Sequence, residues 1–146
     1  MGDTAVLLSS GASKPISEIQ VNDVVRSGPR AGNVAVVRAV CAHDTDQIEE
    51  IKLTGFPTTV RATPEHFFWV DGKGWRSGAE LRAGDWLYDA SERRWQISKI
   101  TMSATKTKVY TLKLSGADSF YANHLLVHDL CGQPPVAQVV KTEVAR

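Results

Sequence analysis

A short pattern occurs twice in this chain, and it limits what the chain can fold into. Ser17-Glu18-Ile19-Gln20-Val21-Asn22-Asp23-Val24-Val25 lines up with Ala79-Glu80-Leu81-Arg82-Ala83-Gly84-Asp85-Trp86-Leu87. Each copy reads as Glu, an aliphatic residue, a polar residue, an aliphatic or small residue, a turn-former, Asp and an apolar pair. The physical unit is a short turn, a tight corner at Asn22 or Gly84, and a buried strand. Asn and Gly both tolerate left-handed backbone at such a corner. The Asp that follows can accept hydrogen bonds from local amides. Two copies are too few for a solenoid or propeller, so the repeat predicts a fold with pseudo-two-fold symmetry.

Around this pattern the chain is a series of short apolar runs separated by turn signals. Strands are expected over residues 5–8, 23–27, 34–40, 48–53, 58–62, 67–70, 85–88, 96–101, 108–114, 119–122 and 125–128. Gly28-Pro29, Thr54-Gly55, Asp71-Gly72-Lys73-Gly74 and Ser115-Gly116 lie between them and read as turns. No helical period persists along the chain, and the best short helix is a single turn over 77–81. The expectation is one all-β domain over residues 1–129. Residues 130–146, Pro-bearing and weakly patterned, are expected to form a flanking segment or tail.

Composition narrows the function classes. With 146 residues, 42% apolar and 23% charged, the chain can bury a core without disulfide staples. The net charge of +1 is spread along the chain, with no basic stripe to suggest nucleic acid. No apolar run approaches the roughly 20 residues of a membrane span. There is no signal-peptide pattern, and the chain opens inside a strand-like segment as if cut from something longer. Cys41 and Cys131 share no metal-ligand spacing with the histidines. Independent free thiols are expected, with one disulfide as the alternative. No metal or other cofactor is implied.

Two places carry chemistry. Thr63-Pro64-Glu65-His66 runs directly into Phe67-Phe68-Trp69-Val70. Pro64 fixes its own φ and pushes Thr63 toward extended geometry. A hydroxyl and an imidazole can thereby face one small space, as binding and protonating a peptide group requires. The second place is Leu125-Leu126-Val127-His128-Asp129, where the β pattern gives way to the tail. Each has an ordinary structural reading as well. Thr63 can close a turn with His66 half-buried on a strand, and Asp129 can cap a turn beside a surface His128.

Taken together, the ordered segments resemble a known family. They are Gly2-Asp3-Thr4, Lys14-Pro15-Ile16, Asn22-Asp23-Val24-Val25, Thr63-Pro64-Glu65-His66, Gly74-Trp75, Ala79-Glu80-Leu81, Gly84-Asp85, Val109-Tyr110-Thr111-Leu112, Phe120-Tyr121-Ala122-Asn123 and Leu126-Val127-His128-Asp129. The series resembles the Hint superfamily of inteins, bacterial intein-like domains and hedgehog autoprocessing domains. It is most similar to the intein-like domains of bacterial secreted and polymorphic-toxin proteins. The resemblance implies an all-β, flat horseshoe of pseudo-two-fold symmetry. It also implies a single-turnover, autocatalytic cleavage of the chain's own flanking segments, through a thioester made by an N–S acyl shift. No nucleic acid, membrane span or cofactor belongs to such chemistry, and a monomer is expected. His66 would protonate the departing amine and Thr63 would hold the amide. His128 would polarise the carbonyl of Asp129.

The chain departs from the family pattern in ways that shape these expectations. Aligned on Gly2-Asp3 and Val6, the attacking Cys would stand upstream of Met1 and is absent from the chain. Asp129 occupies the place of the family's terminal Asn, so cleavage after it is expected to be slow. Leu130 stands where splicing members carry a nucleophile, so ligation of flanking segments is not expected. Asp118 occupies the place of a frequent family His and could orient His128. His43 and Asp44 fall near the position of an activating Asp in hedgehog-type domains. The competing expectation is a degenerate Hint fold kept as a non-catalytic structural module.

Overall fold

A computed structural model describes residues 3–30 and 32–129. The expected tail, Leu130 and Cys131 lie outside the described residues. Strands β1 (Ala5–Leu7), β2 (Ser13–Pro15), β3 (Val24–Arg26), β4 (Val34–Thr45), β5 (Ile48–Leu53) and β6 (Val60–Ala62) form the first half. The second half holds β7 (Phe67–Val70), β8 (Gly74–Ser77), β9 (Trp86–Tyr88), β10 (Arg94–Ser103), β11 (Thr107–Ser115) and β12 (Ser119–Ala122), and β13 (Leu125–His128) follows. Single 3-10 turns, Ile16–Glu18 and Gly78–Glu80, occupy matching places in the halves. The fold is all-β and antiparallel, as the sequence predicts.

The sequence repeat is a structural repeat down to single hydrogen bonds. Ile19 N–H donates to Ile16 O at 3.2 Å, and Leu81 N–H donates to Gly78 O at 3.2 Å. Asn22 has φ of 79° and Gly84 has φ of 98°, the left-handed corner that this pattern requires. The Asp23 carboxylate accepts the Gln20 N–H at 2.9 Å, and the Asp85 carboxylate accepts the Arg82 N–H at 2.9 Å. Each carboxylate also takes a lysine, Lys14 at 3.0 Å and Lys73 at 2.8 Å. Strand pairing follows the same rule: Val6 faces Lys14 as Phe68 faces Arg76. The Ile16 N–H donates to Thr4 O and the Gly78 N–H to His66 O, both at 2.8 Å. Thr4 is therefore the symmetry counterpart of His66.

The long arms cross between the halves. β4 pairs with β11, from Thr45↔Thr107 to Val36↔Ser115, and β5 pairs with β10, from Ile48↔Ser103 to Leu53↔Ile97. One sheet runs β2-β1-β12-β13-β7-β9-β10-β5-β6, with β8 on β7, and the other is β11-β4-β3. The core between them draws on both halves, with Val6, Val25, Val37, Ile51, Phe68, Leu87, Leu112 and Phe120 all buried. Burying a Val, Leu, Ile or Phe side chain is worth about 1.5–3 kcal/mol. Of the repeat's apolar positions, Ile19, Val25, Leu81 and Leu87 belong to this shared core.

Several expectations shift. β4 and β10 run longer than the apolar pattern suggests, because pairing with β11 and β5 carries them on into segments where polar residues are exposed. β2 and β8 were not expected; Ser13-Lys14-Pro15 and Gly74-Trp75-Arg76-Ser77 have no period-two apolar pattern, and pairing with β1 and β7 makes them strands. The turn expected over 77–81 is present as Gly78–Glu80, held by a capping box between Ser77 and Glu80. Cys41 is not a free thiol but is disulfide-bonded.

Candidate active site

Thr63 and His66 lie on the connection between β6 and β7. The His66 N–H donates to Thr63 O at 3.2 Å, closing a tight turn around Pro64 and Glu65. The neighbouring 3-10 turn clamps that loop from outside. The Gly78 N–H donates to His66 O at 2.8 Å and the Ala79 N–H to Pro64 O at 3.0 Å. Thr63 is buried, and the His66 ring meets Phe68 edge-on, with centroids 5.7 Å apart. Burial, and after it the charge of His128, pushes the His66 pKa down to about 4. His66 is therefore a neutral imidazole at neutral pH, able to accept a proton before it donates one.

Thr63 and His66 face a cavity of about 400 Å³. Thr4, at the head of β1, lines it too, and β4 and β11 supply a further wall through Cys41, His43 and Thr111. A space of this size, mostly apolar with a few convergent polar groups, is the usual form of a small binding site. Asp44, expected near the site from the sequence, is not part of this lining, whereas His43 is. Thr111 was not singled out from the sequence. It is buried, and its Oγ1 has no hydrogen-bond partner among the described residues. Nothing in a strand pattern distinguishes such a threonine from one that merely fits a pleated surface.

His128 ends β13 and sits between carboxylates. Its Nδ1 is 2.7 Å from Asp129 O and 3.1 Å from Asp129 Oδ1, and its Nε2 is 3.3 Å from Asp118 Oδ2. The Trp75 ring packs edge-on to the imidazole at 4.9 Å. Burial works against a charged ring here. The bonds to Asp129 and the nearby Asp118 carboxylate outweigh it and raise the His128 pKa above its ordinary value. A protonated His128 can donate from Nδ1 to the Asp129 carbonyl oxygen.

The Asp129 carboxylate faces inward. It is 6% exposed, and its Oδ2 accepts the Leu114 N–H at 3.0 Å. The β11 ladder shifts register between Lys113 and Leu114, so Asp129 takes an amide at the break in the ladder. Lys113 Nζ adds a weaker contact at 3.8 Å. The Asp129 N–H donates to Asp118 O at 2.7 Å. The end of the described chain is thus tied to β11 and to the turn before β12. Among the described residues, no cluster of His, Cys, Asp and Glu is arranged to hold a metal ion.

Known structures share this architecture. The crystal structure of the gp41-1 intein matches 88% of this chain and 95% of its own length, with a TM-score of 0.74 and 27% identity. The bacterial intein-like domain of Clostridium thermocellum matches 86% of this chain and 94% of its own, with a TM-score of 0.73 and 22% identity. A DnaB intein from Synechocystis sp. PCC 6803 matches 88% and 96%, with a TM-score of 0.73 and 23% identity. No protein-family model and no curated protein matches the chain. The fold is the Hint fold, and the structural neighbours are inteins and bacterial intein-like domains. By fold, the chain stands with the self-processing and splicing domains.

Proposed function

We propose that this chain is a self-processing domain that cleaves the peptide junction at its N-terminal side. The observation that carries the reading is a shared cavity: Thr4, at the start of β1, lines the same space as Thr63 and His66. A peptide entering β1 from upstream would bring its last amide toward the hydroxyl and the neutral imidazole. A planar amide is a poor electrophile, so attack by a thiol placed shortly before Met1 would need both. His66 would take the thiol proton and return it to the departing amine, while Thr63 holds the amide. Positioned acid–base catalysis contributes about 10²- to 10⁴-fold. The His128–Asp129 carbonyl contact supports a second, slower cleavage after Asp129. Ligation is not proposed, because Leu130 carries no nucleophile.

One observation favours the competing reading of a non-catalytic structural module. The Asp129 carboxylate is engaged by the Leu114 N–H and His128, which is a structural use of the residue. The experiment that separates the readings restores Cys and one spacer residue before Met1, fused to a reporter. Incubation with a thiol should release the reporter, as followed by mass, and His66→Ala should slow release by at least about a hundredfold. An intact fusion, or release at the same rate in His66→Ala, leaves only the structural module.

A further inference from the structure

Glu49 is a charged residue in an apolar place. It lies on β5, in register with Ala62 of β6 and Met102 of β10, and only 6% of its surface is exposed. Its Oε1 has no hydrogen-bond partner among the described residues. The carboxyl presses on the turn that clamps the Thr63–His66 loop. A Cβ added at Gly78 would collide with Glu49 Oε1 and come within 2.9 Å of Thr63 O. The carboxyl, the Gly78 backbone and the Thr63 carbonyl therefore share one small volume directly under the loop. Gly78 has no side chain there, and only that absence leaves room for the carboxyl.

A lone carboxylate in such a volume is costly, and it neutralises unless a cation reaches it. Among the described residues, none of the neighbouring groups supplies one. Glu50 and Arg61 pair with each other at 3.1 Å, and strand alternation directs Glu50 to the opposite face from Glu49. β10 brings the uncharged Thr101, Met102 and Ser103 opposite β5. The loop itself contributes Glu65, a second negative charge, and Glu80 in the clamp is taken up by the Ser77 N–H at 2.9 Å. Burial, and after it the Glu65 charge, raises the Glu49 pKa.

We propose that Glu49 is held as a neutral carboxylic acid beneath the Thr63–His66 loop and is the positioning residue of that loop. Its proton faces the Thr63 carbonyl, the acceptor that shares its volume. Loss of the proton to solvent leaves a buried charge beside Glu65, and the loop must open to hydrate it. The effect on cleavage rests on the self-processing reading above; the positioning role does not.

The test uses the full chain and Glu49→Gln, whose amide keeps the shape and a donor but cannot ionise. In the parent, the Glu49 carboxyl carbon followed by NMR should titrate above the ordinary glutamate value. Once the tenfold-per-unit base catalysis common to every amide is divided out, the Gly78 and Ala79 amides should lose protection as pH rises through that midpoint, by up to about a further tenfold per unit above it. In Glu49→Gln that pH-linked component should vanish. In the Cys-restored fusion, the rate ratio of Glu49→Gln to parent should climb from about one at acidic pH to about tenfold above the midpoint. An ordinary Glu49 midpoint, or amide exchange with the same pH profile in both proteins, overturns the proposal. The titration and exchange are read on the parent even if the variant misfolds. A fusion that never cleaves sinks the function alone, because the exchange result stands without it.

Discussion

Replacing Asp129 separates its structural role from any chemical one. In Asp129→Ala the Leu114 N–H, which Asp129 Oδ2 accepts at 3.0 Å, is left buried without a partner at the register break in β11. An orphaned buried donor costs about 1–3 kcal/mol. The carboxylate also holds His128 Nδ1 at 3.1 Å, with His128 partly exposed, which adds roughly 0.5–1 kcal/mol after solvent screening. The expected loss is about 3 kcal/mol in urea unfolding at neutral pH, or a fall in Tm on the order of 10 °C for a domain of this size. Asp129→Asn keeps an acceptor oxygen of the same shape, so it should cost less than about 1 kcal/mol. Amide exchange at Leu114 gives the local reading: fast in Asp129→Ala and close to parent in Asp129→Asn. Equal losses in the two variants, or a protected Leu114 amide in Asp129→Ala, would refute the reasoning.

The histidines give opposed pH dependences. His66 has a folded pKa near 4 against an ordinary 6.5, so its contribution is full above pH 6.5 and lost as pH falls toward 4. His66→Gln should remove that acid-side loss, about 1–2 kcal/mol after allowance for a partly exposed ring. His128 is raised, so its contribution is full below pH 6.5 and lost as pH rises through its folded value. Asp118→Asn should lower the His128 midpoint in an NMR titration, and an unmoved midpoint would mean that the 3.3 Å contact carries no electrostatic weight. Thr111→Val replaces an unpartnered buried hydroxyl with a methyl group and should stabilise the domain by up to about 1 kcal/mol. Destabilisation would show that the hydroxyl has a partner.

The repeat was legible because it is written in residue types with narrow backbone roles. Asn22 and Gly84 declare a left-handed corner, and Asp23 and Asp85 declare the amides they accept. Strands rich in β-branched, aliphatic or aromatic residues and bounded by turn signals, such as Ile48–Leu53 and Phe67–Val70, were equally plain. β2 and β8 were not, since an edge strand earns its conformation from its neighbour and not from its own sequence. The Thr63–His66 loop and the His128–Asp129 end were visible as residues, but not the inward turn of the Asp129 carboxylate. That turn depends on a register shift between Lys113 and Leu114, which no local pattern encodes. Glu49 was hidden for the same reason. Beside Glu50 in a strand it reads as a second surface glutamate, and only Gly78, far away in sequence, leaves room to bury it.

The exchange of arms sets a clock on the molecule. Cys41 and His43 reach the cavity on β4, while Val109 and Thr111 reach it on β11 and Phe120 on β12. A nascent chain that has emerged only through β6 has β3 beside the first residues of β4 but nothing beside the rest of that strand, whose ladder is completed by β11. Such distant pairings also form slowly compared with local ones. The pocket around Thr63 and His66 therefore closes only after nearly all of the domain has been synthesised. Any cleavage it performs waits until the segment beyond Asp129 is at hand, and translation itself sets the order of events.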